Sequence, residues 1–139
     1  MVSILRICSL SILSDFRLKK SGQRIILSAA VKIQLQENEK NALTKLKQVL
    51  QEKYGLIDFR LYGSKIHGTA TPESDIDIMI EIEEYTAQIE SEIDEVVFQL
   101  NLEHDCFISA ILFGRREIEE GPLGESPIYK VIQKEGVLI

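Results

Sequence analysis

With 139 residues, 45% of them hydrophobic and 27% charged, the chain has the size and mix of one ordinary globular domain, long enough to bury a core. Sixteen basic against 22 acidic residues leave a net charge of −6, which excludes a domain-wide basic surface and argues against a dedicated nucleic-acid binder. The two cysteines, Cys8 and Cys106, show no CxxC or metal-ligand spacing and read as reduced thiols of a cytoplasmic protein.

The chain opens on Met1 to Leu13, an apolar run interrupted by Arg6. It is short of the ~20 apolar residues that a spanning helix needs. Arg17, Lys19 and Lys20 follow the apolar run, whereas a signal peptide carries its positive charge ahead of it. No membrane association is therefore expected. Residues 1–34 read as an N-terminal extension, poorly ordered or upstream of the true start of translation, with an interfacial or partner-docking segment as the alternative. Residues 35–139 read as the folded domain.

From Gln36 the pattern becomes regular. Leu35, Ala42, Leu43, Leu46, Val49, Leu50 and Tyr54 recur at helical spacing, and Gly55 stands where a left-handed residue ends a helix. Ile57 to Tyr62 alternates apolar and polar as a half-buried strand does. A loop with two glycines and one proline is expected from Gly63 to Ser74. Asp75 to Glu83 alternates again, with Ile76, Ile78, Ile80 and Ile82 on one face and Asp75, Asp77, Met79, Glu81 and Glu83 on the other. Ile89, Ile93, Val96, Val97 and Leu100 mark a second helix. Cys106 to Phe113 suits a buried third strand. Ser126-Pro127 opens a last helix that Gly136 closes. The order helix, strand, strand, helix, strand, helix predicts an α+β fold, a small mixed sheet with helices packed on it.

Chemistry concentrates between Leu61 and Asp77. A glycine at position 63, after a strand, lets backbone approach a ligand that a Cβ would obstruct, and successive amides in such a turn form an anion-binding nest. Ser64 adds a hydroxyl within reach of a terminal phosphate, and Gly68 relieves the second bend. Asp75 and Asp77, two apart on a strand, leave the same face. Two carboxylates side by side repel unless a cation lies between them. Magnesium is the natural candidate, because it takes hard oxygen ligands from one or two carboxylates plus substrate phosphates. Glu81 shares that face but lies ~13 Å away at ~3.3 Å per residue, too far to share one ion.

The pattern Gly63-Ser64, then Gly68, then Ser74-Asp75-Ile76-Asp77 resembles the signature of the minimal nucleotidyltransferase domains of the DNA polymerase β superfamily, of the MntA-like antitoxin type. The resemblance covers roughly residues 36 to 139 and implies a polymerase β-like palm fold. It implies that Gly63, Ser64, Lys65, Gly68 and Ser74 contact a nucleoside triphosphate such as ATP, and that Asp75 and Asp77 bind Mg2+. Where relatives carry arginine before the second glycine, this chain has His67, with Lys65 two residues earlier. Active relatives add a third acidic residue on the following strand. Cys106 to Phe113 holds none, so either Asp105, at the strand's entrance, serves as third metal ligand and catalytic base, or Ser109 occupies the position and the site is incomplete.

Other features have plainer readings. His67 is expected to be a surface histidine, Cys106 a small core residue, and the acidic residues Glu90, Glu92, Asp94 and Glu95 a solvated helix face. Glu103-His104-Asp105 reads as a helix end running into a strand. Tyr62 adjoins the candidate site, within touch of a base. The resemblance implies transfer of a nucleoside monophosphate, adenylate from ATP, to a side chain of a partner protein, as in HEPN-partnered toxin–antitoxin pairs. The alternative is a module of the same fold that neutralises a partner by contact.

Overall fold

A computed structural model describes residues 33–71 and 73–139. The readings for the first 32 residues, Cys8 included, lie outside the described residues. Helix α1 (Glu37–Lys53) leads into β1 (Leu56–Tyr62), a one-turn helix α2 (Ser64–His67), β2 (Ile76–Ile82), α3 (Ala87–His104), β3 (Ile108–Gly114), α4 (Arg115–Glu120), a 3-10 turn over Pro122–Glu125, α5 (Pro127–Glu135) and β4 (Val137–Leu138). The strands form one sheet in the order β3-β2-β1-β4. β1 runs antiparallel to β2 and β4, and β2 runs parallel to β3. The α+β expectation is met by this four-stranded mixed sheet and its helices.

Strand alternation assigns the layers. Leu61, Ile76, Ile78, Ile80 and Ile82 lie on one face and cluster with Ala42, Leu46 and Leu50 of α1 and Ile93, Val97 and Leu100 of α3. The apolar stripes at helical spacing therefore bury against the branched face of the sheet, the main driving force of the fold. Gly55 takes a φ of +63° just beyond α1, as expected for a residue ending a helix in the left-handed region. Ser126 caps α5, its hydroxyl oxygen accepting the Tyr129 N–H at 3.3 Å.

The opposite face is covered only in part. Met79 and Phe113 pack with Ile132 of α5, helped by Tyr62, Ile111, Ile118 and Tyr129. Phe113 and Tyr129 meet edge to face, centroids 5.2 Å apart. The sequence predicts neither α4 nor β4. α4 has one apolar residue, Ile118, in its six, and β4 is a two-residue pairing with Arg60 and Leu61, too short to leave a periodic signature. The cover stops before the N-terminal end of β2, and Asp75 is exposed there and Asp77 half-buried.

Two boundaries differ from expectation. The Gly63–Ser74 loop contains α2, because Lys65 and Ile66 are driven inward, 2% and 1% exposed, and pin a helical turn. β3 starts at Ile108 rather than Cys106. Asp105 sits at φ +53° as the C-cap of α3, and Asn101 takes the place of a strand neighbour, its side-chain Oδ1 accepting the Ile108 N–H at 2.8 Å.

Candidate active site

β1 ends at Tyr62 directly opposite Asp77, so the chain turns immediately beside that carboxylate. Gly63 makes the turn at φ 78°, ψ −153°, a region essentially closed to residues with a side chain. A Cβ at position 63 would fall against Asp77 Oδ2 and lie 3.2 Å from its Cγ. The glycine is thus required twice, by its backbone angles and by the carboxylate packed over it. Ser64 follows as the first residue of α2, and Gly68 ends that turn at φ 74°. Ser74 fastens the approach to β2: its hydroxyl oxygen accepts the Thr71 N–H at 2.8 Å, and its own N–H donates to the Thr71 carbonyl at 3.0 Å.

Asp77 is held above the ordinary carboxylate range, first by burial and then by the charge of Asp75. Tyr62, on the neighbouring strand, has its phenol pushed up by burial and then by Asp77. Two acids and a phenol thus crowd one end of the sheet, in an environment that disfavours negative charge until a cation arrives. The donor set fits a hard divalent ion that draws on two protein carboxylates and takes its remaining ligands elsewhere, as magnesium does on a triphosphate. Among the described residues no group of three or more His, Cys, Asp and Glu side chains is placed to hold a metal ion.

The structure places Asp105 and Ser109, the two candidates for a third position, differently. The parallel register sets Ser109, not Asp105, beside Asp77. Asp105 is fixed in the turn between α3 and β3, where its N–H donates to the Asn101 carbonyl and its own carbonyl accepts from Asn38 Nδ2 at 3.2 Å. It therefore belongs to the α1–α3 side of the molecule. Glu103-His104-Asp105 is a helix end, as the sequence suggests.

Lys65 is the second residue of α2 and is buried. Its ammonium is buried and paired with Glu39, 3.3 Å from Oε1 and 3.1 Å from Oε2. That pairing engages the ammonium inside the fold. His67 is half-exposed, with Nε2 3.6 Å from Glu135, in keeping with a surface role. Cys106 is buried, its thiol pushed up mainly by that burial. Glu39 is the residue that sequence reasoning missed. A signal existed: it falls on the stripe continued by Ala42, Leu43, Leu46 and Leu50, and a carboxylate on a buried stripe implies a buried partner.

Residues 43–139 match the nucleotidyltransferase domain family. A protein of Methanocaldococcus jannaschii named "Putative protein adenylyltransferase MJ1379" is 47% identical over 45 residues, covering 32% of this chain and 45% of that protein. The chain thus spans under half the length of this curated relative. Since the family match takes in every strand and the whole Gly63–Asp77 constellation, the chain belongs to the nucleotidyltransferase domain family.

Proposed function

We propose that this domain transfers a nucleoside monophosphate, adenylate from ATP, to a side chain of a partner protein in a magnesium-dependent reaction. The observation that carries the proposal is the packing of Gly63 on Asp77. That packing supports the reading: with the Gly63 turn abutting a carboxylate that would suit a cation, one triphosphate–cation unit would touch both. The backbone at Gly63 and the hydroxyl of Ser64 would orient the phosphates, and Asp75 and Asp77 would hold the ion. Magnesium would supply neutralisation of phosphate charge. An acceptor hydroxyl oxygen then bonds to the α-phosphorus, the bond from that phosphorus to the bridging oxygen breaks, pyrophosphate departs and the hydroxyl proton passes to solvent. Positioning and charge compensation carry most of such a reaction.

The name of the archaeal relative supports a protein acceptor. A helical HEPN-type partner in a toxin–antitoxin pair is the specific form we favour, in a cytoplasmic setting. Among the described residues no helix is long and apolar enough to cross a membrane.

Ser109 favours a second reading. With a hydroxyl rather than a carboxylate beside Asp77, the domain would bind its partner and nucleotide yet transfer slowly or not at all. The deciding experiment incubates the full chain with its partner, Mg2+ and ATP, and follows partner mass and pyrophosphate together. Adenylate on the partner, lost in Asp75→Ala/Asp77→Ala, supports the enzyme. Neutralisation of the partner without any transfer supports the binding module. Modification that survives the double substitution sinks the assignment of this site.

A further inference from the structure

A turn of four helical residues between two glycines has little stability of its own. Something else must hold the Gly63–Gly68 segment in shape. Two ties reach it from residues that precede the family-matched span, which begins at residue 43. The first is Gln34. Its backbone N–H donates to the Lys65 carbonyl at 2.8 Å, and its side-chain carbonyl accepts the Ala70 N–H at 3.1 Å, so it grips the turn on both sides. The second is the Glu39–Lys65 pair, with side chains only 6% and 3% exposed. Glu39 is itself oriented, because Oε1 also accepts the Gln36 N–H at 2.9 Å at the start of α1.

A buried ion pair is a poor device for stability alone, since desolvation offsets most of the attraction, and apolar side chains of the same volume do as well or better. What it supplies is direction. Lys65 follows Ser64 in the chain, so anchoring both its carbonyl and its ammonium leaves the preceding peptide few orientations.

We infer that Gln34, Glu39 and Lys65 are positioning residues that hold the phosphate-facing turn in its binding shape, so that nucleotide affinity depends on a segment ahead of the family core. The inference rests on the proposed nucleotide site, and its test separates the two. Two variants of the full chain are compared with wild type. In Glu39→Gln/Lys65→Met both charges go, but the glutamine oxygen still caps α1. Gln34→Ala alters an exposed side chain and leaves the core intact. Amide hydrogen exchange reads the turn directly, while titration with Mg·ATP and with magnesium tripolyphosphate reads phosphate binding.

Both variants are expected to stay folded, with amides of residues 63–70 exchanging at least ~10-fold faster and those of β2 unchanged. The double variant is expected to bind both ligands at least ~10-fold more weakly, by similar factors, because only the shared phosphate contacts are affected. Unchanged exchange in residues 63–70 of either variant overturns the inference. So does unchanged affinity where wild type binds. A wild type that binds neither ligand refutes the nucleotide site instead, and exchange then still decides whether these residues brace the turn.

Discussion

Replacing Gly63 with alanine tests the geometry on which the site depends. Two penalties act at once. The backbone would have to keep φ 78° and ψ −153° in a region that costs a side-chain-bearing residue ~1–3 kcal/mol. The new methyl would also press on Asp77, whose Cγ lies 3.2 Å from the methyl position. The cheapest relief is to swing that carboxylate by about 1 Å, and misplacement of that size at a reacting centre costs ~10²-fold in rate. Gly63→Ala should therefore lower the melting temperature on the order of 10 °C for a domain of this size and nearly abolish transfer. Thermal melting by circular dichroism gives the first effect and pyrophosphate release the second. Repeating the substitution in an Asp77→Ala background separates the causes. The backbone cost persists there while the clash disappears, so the two changes should couple by ~0.5–3 kcal/mol. Strict additivity, or a Gly63→Ala protein with wild-type melting and turnover, would refute the claim that turn and carboxylate are built against each other.

Asp75→Asn/Asp77→Asn should keep the fold, because a like-charge repulsion is relieved, but lose the rise in melting temperature that Mg·ATP gives any protein binding it in the native state only. A retained ligand-induced shift would place the nucleotide elsewhere. Glu81 titrates above its ordinary 4.5, with burial outweighing the contact to Arg115. The stability it contributes is full below pH 4.5 and is lost as pH rises through the raised folded value. Glu81→Gln should accordingly gain in stability relative to wild type between pH 4 and pH 7.5, and a difference that does not change with pH would contradict this. Ser109→Asp sets a third carboxylate beside Asp77, so the metal-free protein should lose ~0.2–1 kcal/mol. Added Mg2+ should raise its melting temperature more than that of wild type.

Sequence reveals different parts of this molecule to different depths. The branched face of β2 and the stripes of α1 and α3 were legible because burial imposes a period on the chain. The Gly63 turn was legible because backbone angles of this kind admit little but glycine. The burial of Lys65 was not legible because a lysine in a polar loop normally faces water. Only the fold brings Glu39, 26 positions earlier, to its ammonium. Whether Asp105 or Ser109 stands beside Asp77 could not be read beforehand, since it depends on the parallel register of β3. That register is set by where α3 ends, and α3 ends on a left-handed aspartate capped through Asn101. The short elements α4 and β4 exist by tertiary contact and leave no local trace.

Sheet order also gives the candidate site two distinct sides. Asp77 sits on β2, with Tyr62 of β1 and the Gly63 turn on one flank and Ser109 of β3 on the other. If the phosphates lie over the Gly63 turn, pyrophosphate leaves toward β1, and an in-line attack must come from the side of β3. An acceptor would then pass Ser109 and Phe107, which shares its parity and is 69% exposed. Ser109 itself cannot take up a proton as a carboxylate would, so the acidity of the acceptor would limit transfer while leaving nucleotide binding untouched. The enzyme and binding-module readings therefore diverge at this flank, and the Gly63 flank is common to both.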